Sequence, residues 1–175
     1  MTEFRKDPKL ATCDLTSFLG AIVQCAQLGL EPGSALGHVY LIPFKNRRRN
    51  CTEVQIIIGY KGLVELARRS GMVISITPRA VHEGDEFSYR YGLNEECEHR
   101  PTADTPGELS HVYVVVKFKD GGHDFEVMTR AEVENVRNGL KFPNPVWESH
   151  FEEMAKKTVI RRIAKRLPLS PEFAD

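Results

Sequence analysis

The stretch HVYVVVKFKDGGHDFEVM, residues 111–128, decides the fold class. Two runs rich in β-branched and aromatic residues flank Asp120-Gly121-Gly122, and glycine after aspartate supplies the backbone freedom that a tight hairpin needs. The stretch therefore predicts antiparallel strands at 111–119 and 123–128. Directly afterwards Thr129 and Glu132 have the spacing of a capping box, which starts a short helix to about Val136. Upstream, His38 to Phe44 and Thr52 to Ile58 predict another hairpin around the polar run 45–50. Val73 to His82 and Glu86 to Tyr91 predict two more strands around Glu83-Gly84-Asp85, and Glu95 to Pro106 reads as irregular.

Helices surround these strands. Asp14 is placed to cap a helix with apolar positions Leu15, Phe18, Leu19, Ile22 and Ala26, stopped by Gly29. No charged residue occurs between Asp14 and Glu31. The face opposite that stripe is poor solvent chemistry, so burial on two sides is expected, with another copy as one cover. A second helix is predicted over Tyr60 to Arg69. Asn138, Gly139, Pro143 and Pro145 then break the chain, and the last and longest helix is expected from about Pro145 to Leu167, before Pro168. Strand pairs joined by tight turns, with helices before, between and after, predict α+β with an antiparallel sheet rather than a doubly wound parallel one.

The chain has 175 residues, of which 41% are hydrophobic and 27% charged. That length predicts a single domain over 1–175, and the dispersed prolines and glycines exclude low-complexity and collagen-like classes. The apolar run 18–30 is broken by two glutamines and two glycines, so neither a signal peptide nor a membrane span is predicted, and a cytosolic location is expected. Cys13, Cys25, Cys51 and Cys97 form no C-x-x-C pair and read as free thiols.

Formal net charge is zero, 24 basic against 24 acidic residues, but the charges segregate. Lys45 to Arg49 holds four basic residues and no acid, Lys156 to Arg166 six and no acid, whereas His82 to Glu108 holds eight acids against two arginines. The asymmetry predicts one surface for polyanions and another for something basic.

Catalytic patterns are weak. The phosphate-binding G-x-x-x-x-G-K-[ST] loop does not occur, Ser34 stands in G-S-x-x-G rather than G-x-S-x-G, and the six histidines lack H-E-x-x-H spacing. Glu83, Asp85 and Glu86 are the acidic oxygens that would hold Mg²⁺ in a metal-dependent nuclease. The basic runs carry more. Lys157, Arg161 and Lys165 fall at i, i+4 and i+8 of the last helix, with Arg162 and Arg166 adjoining and Val159, Ile160, Ile163 and Leu167 opposite. Pairs Glu152–Lys156 and Glu153–Lys157 would neutralise the first two lysines. Arg161, Arg162, Lys165 and Arg166 have no acidic partner in the helix, which predicts polyanion contact. The first half of the same helix places Trp147, Phe151 and Met154 on the side where its second half places Lys157, Arg161 and Lys165. A straight helix with that exchange must cross between two environments.

Specific strings add an identity. LGLEPGSALGHVYLIPF (28–44), QIIIGYKGL (55–63), LARRSG (66–71), EGDEF (83–87), and Trp147 with EMAKKT (153–158) and IRR (160–162) together resemble the RecT family of phage and prophage recombinases. The resemblance covers about Ala11 to Leu169. It implies ATP-independent binding and annealing of single-stranded DNA, strand invasion, retention of the annealed duplex, and assembly into a homo-oligomeric ring or filament. It also implies a phage exonuclease as partner, no cofactor, no enzymatic chemistry and a bacterial cytoplasm. Family members usually carry a further N-terminal region and a C-terminal tail, so the chain is expected to be the core of such a protein. Under this resemblance Lys61, Lys156, Lys157, Arg161, Arg162 and Lys165 contact phosphate, Arg47, Arg48 and Arg49 make secondary contacts, and Tyr60 and Trp147 pack on bases or sugars. The other readings are the nuclease and a phage assembly protein whose basic face meets only protein.

Overall fold

The computed structural model describes residues 7–102, 107–140 and 144–168. Asp104, Pro106 and Pro143, which entered the acidic count and the breaks above, lie outside them. The fold is α+β with antiparallel sheets, in two compact units: the described residues up to Gly71 together with Pro168, and Met72–Leu167.

In the first unit a 3-10 turn, Pro8–Thr12, leads into α1, Leu15–Gln27, whose N-cap Asp14 accepts from Ser17 N. Strands β1, Val39–Asn46, and β2, Cys51–Ile58, pair in register from Val39 opposite Ile58 to Asn46 opposite Cys51. Helix α2, Tyr60–Arg69, follows. Alternation along the hairpin sends Val39, Leu41, Val54, Ile56 and Ile58 inward, where Leu10, Ala21, Cys25, Leu28 and Leu66 complete the core. The α1 stripe read from sequence is not the buried one. Leu15, Leu19 and Ile22 are exposed, while Ala21 and Cys25 are buried and Phe18 is only partly so. Small side chains let the helix lie close on the hairpin, and its large apolar residues are left outward.

Backbone approach explains part of the RecT-like strings. Cβ atoms added at Gly59 or Gly62 would collide with the carbonyl oxygens of Gly37 and His38 respectively. We expect Gly62→Ala to cost about 1–3 kcal/mol in equilibrium denaturation, the usual price of overpacking. Gly20, in α1 with open space around it, is the control, where alanine should stabilise by up to about 1 kcal/mol.

In the second unit β3, Val73–His82, β6, Leu109–Phe118, and β7, His123–Thr129, form one sheet in the order β3-β6-β7. Strands β4, Glu86–Arg90, and β5, Glu96–Arg100, form a separate hairpin. Part of the segment expected to be irregular is therefore a strand, because Cys97 and His99 alternate inward between glutamates. One face of the β6–β7 pair packs the aromatic side of that hairpin and the residue after β4, with Phe87 stacked on Tyr113 of β6 at 5.4 Å and Tyr91 on Phe125 of β7 at 5.1 Å. Its other face, through Val112, Val114 and Val116, supports the helices. These are α3, Arg130–Asn138, with its capping box complete between Thr129 and Glu132, then α4, Val146–Ser149, and α5, Phe151–Ile163.

The single long basic helix expected from Pro145 to Leu167 is not there. The chain breaks at His150, with φ −140° and ψ 49°, and α5 stops at Ile163, so it is no longer than α1. Ser149 Oγ bonds locally to Pro145 O and to His150 Nδ1, competing with the helical ladder. The break also resolves the side exchange read above: Trp147 turns inward in one short helix, and the apolar side of the next is set independently.

Some strand edges are interrupted or partly covered. Pro43 and Pro78 sit in strands with a single partner, β1 and β3, where a missing N–H is tolerated. Tyr91 Oη accepts from Val127 N on β7. On β2, Asp14 N donates to Thr52 O and Ser17 Oγ accepts from Val54 N.

Candidate nucleic-acid interface

Helix α5 buries Met154, Ala155, Val159, Ile160 and Ile163, so its cations stand along the remaining surface. They are not equivalent. Arg162 reaches Glu126 at 3.0 Å and Glu132 at 2.9 Å, and Arg166 reaches Glu126 at 2.5 Å and Asp124 at 3.1 Å. Asp124 and Glu126 are neighbours on the helix-facing side of β7, and Glu126 is only 8% exposed. Hydrogen bonds to Glu132 for Arg162, and to Asp124 and Glu126 for Arg166, raise both guanidiniums above their ordinary range, Arg166 the further. The partners absent from the helix itself are supplied by β7 and α3. Lys156 is held by Glu152 at 2.5 Å and Glu153 at 3.1 Å.

Lys157 and Arg161 have no acidic partner among the described residues. Desolvation, and then the charge of Arg161 one turn away, push the Lys157 ammonium down from the ordinary lysine range. Lys165 is exposed in the turn after α5 and likewise has no ion pair there. The result is a cation pair left un-neutralised by the fold, and an anion bridging it would offset the repulsion between the two charges and give the desolvated ammonium a counter-charge.

In the first unit, Arg47 and Arg48 are exposed at the hairpin tip without acidic partners among the described residues, whereas Arg49 pairs with Glu53 at 2.8 Å. Asn46 Oδ1 accepts from the backbone N of Arg48 and Arg49 and shapes that tip. Lys61 is exposed in the first turn of α2, which has no side-chain cap; unbonded amide groups there add positive character. Tyr60 beside it is half-buried. Trp147 is 4% exposed and packs on Phe151 with ring centres 5.8 Å apart, so its ring belongs to the core.

The acidic turn is organised from within. Asp85 accepts from His82 N at 2.9 Å, His99 Nε2 at 3.0 Å and Thr102 N at 3.2 Å. The backbone bond from His82, then the His99 bond, lower its carboxyl to about 2. Among the described residues, no group of three or more His, Cys, Asp or Glu side chains is disposed to hold a metal ion. Ser34 Oγ is buried without a hydrogen-bond partner there, so no base stands beside it. Sequence reasoning missed the convergence of His82, Asp85, His99 and Tyr113 around a hollow of about 630 Å³, because His99 lies in the strand read as irregular.

A depressed carboxyl contributes stability that is full above the ordinary aspartate range, near pH 4, and is lost as pH falls through its folded value. We expect acid unfolding between about pH 4 and pH 2 to become shallower in Asp85→Asn, measured as stability against pH.

The described residues thus form an α+β scaffold carrying cations that the fold leaves available to an external anion. The chain belongs to the RecT family, whose sequence profile, described as RecT family, matches residues 1–174. It is 56% identical over 175 residues to the protein named Protein RecT from Escherichia coli (strain K12), covering 98% of this chain and 65% of that one. It is 24% identical over 167 residues to the uncharacterized protein YqaK from Bacillus subtilis (strain 168), covering 93% of this chain and 55% of that one. The chain therefore spans less than two thirds of the length of these relatives. No helix among the described residues is long and apolar enough to cross a membrane.

Proposed function

We propose that this chain binds single-stranded DNA and anneals complementary strands without a nucleotide cofactor, as the core of a recombination protein. The un-neutralised pair Lys157–Arg161 carries the reading, and family membership supports it. Annealing makes and breaks no covalent bond: the protein neutralises phosphates, holds bases where pairing is sampled, and retains the duplex. Lys157, Arg161 and Lys165 are the primary phosphate contacts in this proposal. Lys61, Arg47 and Arg48 contribute from the other unit. Arg162, Arg49 and Lys156 act mainly by positioning their surroundings, Tyr60 retains a sugar or base contact, and Trp147 anchors α4. Assembly into a ring or filament, a phage exonuclease that supplies single strands, and a bacterial cytoplasm complete the proposal.

The test is annealing of labelled complementary oligonucleotides, with and without ATP and Mg²⁺. Acceleration over the spontaneous rate, unchanged by ATP, supports the proposal. No acceleration, or dependence on ATP, overturns it, and shortening of the strands in Mg²⁺ points to the nuclease reading instead.

A further inference from the structure

The hollow of about 630 Å³ lies wholly within the second unit, bordered by β3, by β5 and Pro101, by Tyr113 of β6 and by the first turns of α5. Its volume suits a small molecule rather than a bare ion, sites of that kind spanning about 300–1,000 Å³. The hydrogen bonds already made fix what its lining can still offer. Asp85 is buried and ionised, its carboxyl lowered to about 2 by the backbone bond from His82 and then by the His99 bond, so it only accepts. A neutral His99 therefore carries its proton on Nε2, 3.0 Å from Asp85, and its Nδ1 accepts from the Tyr113 hydroxyl at 3.2 Å. With its one proton engaged there, Tyr113 Oη keeps only lone pairs. Glu152, which accepts from Lys156 and lies 3.2 Å from His82, has further lone pairs on the same hollow. Both groups offer acceptors, so the matching edge of a ligand must donate.

Arg79 supplies the opposite chemistry. It stands across from Tyr113 in the β3–β6 register, on the same face of the sheet, and is exposed with no acidic partner among the described residues. Lys156, the other lining lysine or arginine, is held by Glu152 and Glu153, so the hollow has one open contact for an anion. Pro78, Ala80 and Pro101 add surface without side-chain hydrogen bonding, suited to the flat face of a ring. We infer that this hollow takes one unstacked nucleotide whose base carries an exocyclic amino group, with its phosphate on Arg79 and that amino group toward Tyr113 Oη and Glu152. Uracil and thymine instead hold one ring N–H between two carbonyl oxygens, so an acceptor of the hollow would face an acceptor. A nucleotide within a strand and a free mononucleotide share this chemistry. For a strand, the inference rests on the function proposed above and deepens it. The amino groups of cytosine, adenine and guanine are also Watson–Crick donors, so a base held here is unpaired and must leave the hollow on annealing.

Titration of the full chain with mononucleotides, followed through the ring resonances of His82 and His99, tests this. dCMP and dUMP are the decisive pair, since they differ only along the edge that carries the amino group. dCMP should shift both histidines and bind roughly tenfold tighter than dUMP, about the factor of one hydrogen bond to a charged group. Deoxycytidine, which lacks the phosphate, should bind roughly tenfold more weakly than dCMP, and Arg79→Gln should bring dCMP down to that level. Tyr113→Phe should narrow the preference for dCMP over dUMP at least about threefold. A merely structural tyrosine would weaken both ligands alike and leave that ratio unchanged. Glu152→Gln reads the same edge if Tyr113→Phe melts early. Unmoved histidine resonances at millimolar nucleotide, equal binding of dCMP and dUMP, or a folded Arg79→Gln variant that binds dCMP like the parent overturns the inference. Oligo-dC and oligo-dU then identify the source. A preference for oligo-dC that Tyr113→Phe narrows places a nucleotide of the strand in the hollow, whereas a preference confined to mononucleotides makes a free nucleotide the occupant. If neither oligonucleotide binds while the mononucleotide results hold, the hollow stands as a nucleotide site and the annealing proposal falls.

Discussion

The Lys157→Ala/Arg161→Ala double variant is expected to bind single-stranded DNA with a log-affinity against log-salt slope shallower by about 1.4, since each lost phosphate contact removes about 0.7. Over a roughly fourfold rise in salt the parent then loses about sevenfold more affinity than the variant. These two side chains are chosen because the fold gives them no counter-charge among the described residues. Lys156→Ala is the comparison: its ammonium is already shared between Glu152 and Glu153, so it should move the slope less. The depressed ammonium adds a second signature. Lys157 loses its proton earlier than an ordinary lysine as pH rises, so affinity should weaken on the approach to the lysine range, and Lys157→Arg should remove that dependence. Titration by fluorescence anisotropy at several salt concentrations checks both. A folded double variant with the parent's slope would make the pair structural and remove the observation on which the functional proposal stands.

What the sequence made legible follows from how local its determinants are. The β6–β7 hairpin is written in alternating apolar residues around a glycine turn, and the α3 capping box in two side chains three residues apart, so both could be read directly. The orientation of α1 could not. The helix carries two apolar stripes, and which one meets the hairpin depends on how closely the layers approach. Ala21 and Cys25 permit that approach, while the larger Leu15 and Leu19 give the stronger sequence signal. The break at His150 was hidden for a similar reason, since neither proline nor glycine marks it and its local bonds work together with the burial of Trp147. At the candidate site, the acidic partners of Arg162 and Arg166 lie on β7 and α3, some 30 to 42 positions away in the chain. A helical wheel shows only neighbours on its own helix, so it could not separate these arginines from Lys157 and Arg161.

That separation predicts opposite phenotypes for adjacent residues. Arg162→Ala/Arg166→Ala should cost about 3 kcal/mol in equilibrium denaturation, because removing both partners leaves the Glu126 carboxylate buried and unpaired. The figure is set at the low end for a broken buried pair because the guanidiniums are nearly half exposed, at 44% and 46%, and water screens them. Adding Glu126→Leu should recover part of the loss, since an apolar side chain of similar size needs no counter-charge. In conditions where the variant remains folded, its DNA salt slope should stay near the parent's, although Asp124, Glu126 and Glu132 are then freed to repel phosphate and lower the affinity at every salt concentration somewhat. If this variant instead keeps its stability and loses about 1.4 from the slope, its arginines leave their carboxylates to bind DNA, and the phosphate track runs along the Arg162–Arg166 side of α5 rather than along Lys157 and Arg161.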